Sequence, residues 1–164
     1  MGDMLLGGWD LTSITLLETG PWLTPSISGS FDESNTNVVN RGATLRPDAV
    51  SKAYRAGSAH GQYFNLAAFA PTPAGAGRFG NAGVGILQGP GTAAVSLGLA
   101  KNFALTERTK LRFESTFTNV LNHTNFAPPA TQVDDVATFG VLSAPQTAEN
   151  AENRTGQVAL RLDF

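Results

Sequence analysis

The chain ends in GQVALRLDF, where Val158, Leu160, Leu162 and Phe164 alternate with Gln157, Ala159, Arg161 and Asp163. Successive side chains of an extended chain point to opposite faces, so this spacing makes one apolar and one polar face. A helix would scatter the same residues around its circumference. The rhythm recurs upstream. In AAVSLGLAKNF, from Ala93 to Phe103, the residues Val95, Leu97, Leu99 and Phe103 share a face, opposed by Ser96, Gly98, Ala100 and Asn102. In KLRFESTFTNVLN, from Lys110 to Asn122, the residues Leu111, Phe113, Phe117 and Leu121 oppose Arg112, Glu114, Thr116 and Thr118. Phe113 and Phe117 are also at helical spacing, but the Thr and Val content favours a strand. A fourth strand is expected between Gly8 and Gly20, with its faces unassigned because the alternation blurs over Ile14 to Leu17.

The connections between these strands are very unequal. ALTERT alone joins Phe103 to Lys110, a tight hairpin, whereas the stretches from Pro21 to Thr92 and from His123 to Arg154 are long and rich in Pro, Gly, Ala and Asn. Loops beyond about 12–15 residues are uncommon in compact domains and usually carry function or lack order. Strand, long loop, strand, tight turn, strand, long loop, strand places the long and short connections at opposite ends of one antiparallel sheet. Outer-membrane β-barrels have that asymmetry, and about 9–11 tilted residues cross a bilayer as a strand. The expected fold class is therefore all-β: an antiparallel meander of about four long strands with long extracellular loops. In that setting Val158, Leu160, Leu162 and Phe164 face lipid, and Phe164 joins an aromatic girdle at the rim. Arg112, Glu114, Arg161 and Asp163 face a polar lumen and are expected to pair across strands, the other reading being that they line a substrate path.

Composition agrees. Charged residues are 15% of the chain, below the roughly 25% of ordinary soluble domains. Gly is frequent, at 18 of 164 residues. The net charge of -2 gives no general attraction to nucleic acid. The chain has no Cys, which excludes disulfides, thiolate metal sites and a Cys nucleophile. No apolar run is long enough for a transmembrane helix. The start, MGDMLLGGWD, lacks the basic and apolar regions of a signal peptide and the Ser or Thr of a myristoylation site.

The chain offers little for catalysis. GAGRFGNAGVGILQGPG contains Gly83 and Gly85, but Gln88 stands where a dinucleotide fingerprint needs its third Gly, and no Gly-Lys-Ser/Thr follows. It reads as a Gly-rich loop at a strand entrance. His60 and His123 have no partner at metal-ligand spacing. Asp134 and Asp135 lack the alternating oxygens of a calcium loop and read as a solvated tip, with Asp32 and Glu33 as their one conceivable companions around an ion. No Gly-x-Ser-x-Gly elbow occurs. The sequons at Asn122 and Asn153 are read as chance. Catalytic, cofactor-binding and metal-binding residues are all expected to be absent.

The stretches GGWDLTSITLLETGPWLT, RPDAV, YFNLAAFAPTPAGAGRFGNAGVGILQGPG, VSLGLAKNFALTERTKLRFESTFTNVLNHTNF, and FG ahead of VALRLDF, taken together from Gly7 to Phe164, resemble the C-terminal end of TonB-dependent transporter barrels of the Oar-like type. That resemblance implies a barrel of roughly 22 strands around a plug, with residues 1–164 forming its last four strands. It implies an outer-membrane location, energised uptake of a large ligand, and a terminal strand presented to the barrel-assembly machinery. The expected partners are lipid, the rest of the barrel and the plug, with TonB reached only through segments outside these residues. Two other classes stand beside it. One is a secreted or surface-exposed adhesion-like β protein that binds through its long loops. The other is a small soluble β enzyme, the weakest reading because no catalytic constellation exists.

Overall fold

The computed structural model describes residues 7–28, 35–36, 45–56, 61–147 and 153–164. The described chain is all-β and forms two compact units.

The first unit comprises residues 1–18, 91–125 and 145–164. Its strands are β1 (Trp9–Glu18), then, after four two-residue strands in the second unit, β6 (Thr92–Ala104), β7 (Lys110–Thr118) and β8 (Thr155–Asp163). They make one antiparallel sheet in the order β1-β6-β7-β8. This is the expected meander, and no helix lies over Leu111 to Leu121. The tight turn is set by Thr106, whose hydroxyl accepts from the backbone N–H of Arg108 and Thr109, while Leu105 N–H donates to Thr109 O at 2.9 Å. A Thr hydroxyl bonding its own backbone favours turns over continued strand.

The register assigns both faces of every strand. Trp9 pairs with Lys101, Leu11 with Leu99 and Leu17 with Ala93 on one face, so Ile14 and Leu16 fall on the other beside Asp10 and Thr12. That is why the alternation in β1 looked blurred: two apolar residues occupy its polar face.

β7 stops at Thr118, four residues before the Asn122 expected from sequence, and Leu121 lies beyond the sheet. Asn119 and Asn122 take positive φ of 45° and 51°, a left-handed conformation that Asn tolerates and a strand cannot continue through. The first residues of β6 have no β7 partner, and this segment supplies substitutes. Val120 N–H donates to Val95 O at 2.7 Å. The Asn125 side chain accepts from Ala93 N at 2.8 Å and donates to Ala93 O at 3.1 Å. Asn125 thus does for one residue what a neighbouring strand would do, and it is buried.

The second unit comprises residues 19–90 and 126–144. It holds β2 (Trp22–Leu23) paired with β5 (Leu87–Gln88), and β3 (Asp48–Ala49) paired with β4 (Phe69–Ala70). A 3-10 turn, Leu66–Ala68, is capped by Asn65, whose side chain accepts from Ala67 N at 3.1 Å. Phe64, Ala68, Phe69, Ala82, Leu87, Val133 and Phe139 form a buried core. Phe139 is wedged between Phe69 and Phe64, with ring centres 5.8 and 6.2 Å away. Gly140 is required beside it, because its φ is +69° and a Cβ there would come within 2.8 Å of Phe64 N. The long connections, expected from sequence only as loops, therefore build a hydrophobic centre of their own.

Candidate functional site

The sheet places the residues singled out in the sequence on its two faces. Val158, Leu160 and Leu162 of β8 stand in register with Ser115, Phe113 and Leu111 of β7. These continue through Lys101, Phe103, Leu99 and Leu97 of β6. The apolar side chains of this face are largely uncovered: Leu11, Leu17, Val158, Leu160 and Leu162 are all exposed, and Phe164 is 98% exposed. A continuous exposed apolar face on a sheet is unstable in water and natural in contact with lipid.

The opposite face carries Arg112, Glu114, Arg161 and Asp163, as expected, but their pairing is different. Both ion pairs run along a strand: Arg112 Nε to Glu114 Oε1 within β7, and Arg161 Nε to Asp163 Oδ1 at 2.8 Å within β8. Across the strands Arg112 stands opposite Arg161, and Glu114 opposite Ala159. The expected pairs among these four residues do not form across the strands, because the register sets Arg112 against Arg161, Glu114 against the uncharged Ala159, and Asp163 against Lys110. Each carboxylate then neutralises the cation two residues away on its own strand, which reduces the repulsion between the two guanidinium groups. All of these groups are exposed, so each pair contributes little to stability. Ser96, Gly98 and Ala100 of β6 are small, and between the flanking strands they leave a trough of about 340 Å³ on this polar face.

Sequence reasoning passed over Lys101. The rhythm Leu97, Leu99, Lys101, Phe103 puts it on the apolar face, and the structure buries it there at 2% exposure. Its Nζ lies 4.8 Å from the Trp9 ring centre and 5.1 Å from that of Phe103. Trp9 in turn meets Phe113 edge-on at 6.3 Å. A cation over aromatic faces is stabilised by their quadrupoles. It also lets a lysine occupy an apolar face near the turn end of the sheet, with its stem packed and its charge screened. The signal was in the alternation, had the lysine been counted with its neighbours.

In the second unit, RPDA and RFGNA lock together. Arg78 binds Asp48 in a fork, Nη1 to Oδ1 at 2.8 Å and Nη2 to Oδ2 at 2.7 Å. Asn81 N–H donates to Asp48 Oδ1 at 2.9 Å, and Ala49 N–H donates to the Asn81 side chain at 2.7 Å. Ala82 N–H donates to Pro47 O, and Arg46 Nη1 donates back to Ala82 O at 2.7 Å. Gly80 is needed because a Cβ would fall 2.0 Å from Arg46 O. The Gly-rich stretch that invited a nucleotide reading is thus a backbone clamp.

The hydrogen bonds from Arg78, and then that from Asn81 N–H, hold the Asp48 carboxyl down at about 2. Its folded value lies below the ordinary 3.9 or so of an unfolded Asp, so the clamp's contribution is fully present above about pH 4 and is lost as the pH falls through about 2. Asp48→Asn should remove this acid-dependent component of the second unit's stability. Trp22 fluorescence, followed from pH 5 to pH 1.5 in a Trp9→Phe background, reports it. Identical acid transitions for the two proteins would refute the clamp's role.

The remaining candidates are engaged locally. Both oxygens of Asp134 lie within hydrogen-bond distance of Ser28 N, at 3.0 and 3.1 Å. Asp135 accepts from the Thr138 hydroxyl at 2.6 Å, and His123 Nδ1 lies 3.2 Å from Asn125 Oδ1. Asp32, Glu33 and His60 lie outside the described residues. Among the described residues, no three His, Asp or Glu side chains come together as a metal site.

An antiparallel sheet with one exposed apolar face, one polar face, a tight turn at one end and both long connections at the other defines the class of outer-membrane β-barrel proteins. Residues 1–157 match the family model described as "Outer membrane beta barrel domain". The chain belongs to that family, and its location is the bacterial outer membrane. No curated protein and no solved structure matches it.

Proposed function

We propose that this chain is the C-terminal part of a TonB-dependent transporter barrel of the Oar-like type, serving energised uptake of a large ligand. The carrying observation is the sheet itself. Four strands in sequence order present one continuous apolar face, with Leu160 beside Phe113 and Leu162 beside Leu111. Their length, 10, 13, 9 and 9 residues, suits a membrane crossing. On this reading the apolar face meets lipid, and Arg112, Glu114, Arg161 and Asp163 line the interior. The β8 strand and Phe164 engage the assembly machinery. The plug and the segment that TonB grips lie outside these residues. The chain acts by binding and conducting rather than by catalysis, and it has no nucleic-acid partner.

An antibody against the second unit, used on native outer membranes, tests this. The expected band is far larger than the chain itself, migrates differently before and after boiling, and co-purifies with the periplasmic domain of TonB. A species no larger than this chain, with no TonB association, would reject the transporter reading. The DNA upstream of Met1 should encode further barrel strands in frame.

The compact core of the second unit supports an alternative, a surface-exposed binding protein that acts through its loops. Refolding distinguishes the two. β1 and β8 each leave one edge unpaired in the four-stranded sheet, and an open edge with an apolar face aggregates in water. The 164 residues alone, diluted from urea without detergent, should therefore aggregate. A monodisperse monomer that unfolds cooperatively would favour the adhesion-like alternative.

A further inference from the structure

We propose that the cavity in the second unit binds a small apolar carboxylate, a ligand with one ring or short aliphatic body and a single carboxylate group. The cavity measures about 340 Å³, with walls that include Leu45, Leu66, Phe69 and Val133. This is at the small end of the roughly 300–1,000 Å³ of ligand sites, so it takes one compact molecule. Arg46 also lines it. Arg46 is half-buried and gives one N–H to Ala82 O at 2.7 Å. Among the described residues no carboxylate pairs with it. A guanidinium partly withdrawn from water among apolar walls carries a desolvation cost. An arriving carboxylate offsets that cost through a two-pronged, charge-assisted contact.

Asp134 is the opposing charge on the same cavity. It is exposed, and its oxygens are turned to Ser28 N. A hydrated, already engaged carboxylate attracts a cation weakly, and it repels the ligand's anionic end toward Arg46. The inference goes beyond the transport reading, because binding here requires neither TonB nor an energy source.

The test uses the full-length protein from outer membranes, reconstituted in lipid nanodiscs, with empty nanodiscs as the blank. Three probes share one body and differ in charge: 3-phenylpropionate, 3-phenylpropanol and 3-phenylpropylamine. Ligand-observed NMR gives their affinities. The carboxylate should bind saturably and about tenfold more tightly than the alcohol, as expected for a charge-assisted hydrogen bond, with the amine weakest. Arg46→Gln should bring the carboxylate down to the alcohol, and Arg46→Lys should restore part of the difference. Val136 lines the cavity and is 67% exposed, so Val136→Glu adds a negative charge there without disturbing the Arg46 contact. It should weaken the carboxylate more than the alcohol, and this decides the matter if Arg46→Gln loses all binding. The proposal is overturned by absence of saturable binding, by an amine or alcohol that binds as tightly as the carboxylate, or by equal effects of Val136→Glu on carboxylate and alcohol.

Discussion

Replacing Phe139 by Ala should destabilise the second unit by about 3–5 kcal/mol, the range for removing a buried aromatic ring from a packed core. Phe139 is fully buried and touches both Phe64 and Phe69, so no neighbour can move in without leaving its own partner. A loss of that size is a large fraction of the roughly 5–15 kcal/mol that holds a typical domain folded. The measurable consequence is protease sensitivity. Lys52, Arg55 and Arg78 all lie in this unit and provide trypsin sites. Trypsin added to intact outer membranes should cut the Phe139→Ala protein at these positions much faster than the parent. Val84→Ala is the matched control, since Val84 is exposed and its truncation should cost no more than about 0.5 kcal/mol. Equal cleavage of Phe139→Ala and Val84→Ala would show that the second unit does not depend on its aromatic core.

Leu160→Arg should impair assembly of the barrel far more than Ala159→Arg. An arginine on the lipid face of a barrel costs about 2–4 kcal/mol near the midplane. Leu160 sits in the middle of β8, exposed and facing Phe113 across the strand pair, with no acidic group opposite. Ala159 is the adjacent residue, but it points to the other face and stands opposite Glu114. An arginine introduced there meets a carboxylate in a wet setting. Heat-modifiable migration on a gel measures the folded fraction in the protein assembled in outer membranes. Equal losses, or a greater loss for Ala159→Arg, would mean that the apolar face of β8 does not meet lipid.

The two experiments probe parts of the molecule that differ in how they are encoded. The strands were legible because their signal is local. A period of two in VALRLDF or VSLGLAKNF is itself the statement of which residues share a face, and Thr106 closes the hairpin within five residues of sequence. The end of β7 was misjudged because Leu121 keeps the rhythm, while the left-handed backbone at Asn119 breaks the strand. Alternation reports side chains and is blind to φ.

The second unit was not legible, since its order is held by pairs far apart in the chain. Arg78 and Asp48 are 30 residues apart, and Ser28 and Asp134 are 106 apart. Pro-, Gly- and Ala-rich segments without a period reveal no partner until the backbone brings one. The sequence by itself determined the four long strands, the faces of β6, β7 and β8 and the hairpin, because each follows from the geometry of an extended chain over a few residues. Only the tertiary structure decided that Arg112 would face Arg161, that Lys101 would lie against Trp9 and Phe103, and that RFGNA would grip RPDA. Register and long-range packing arise from the whole set of contacts, and no single stretch of residues contains them.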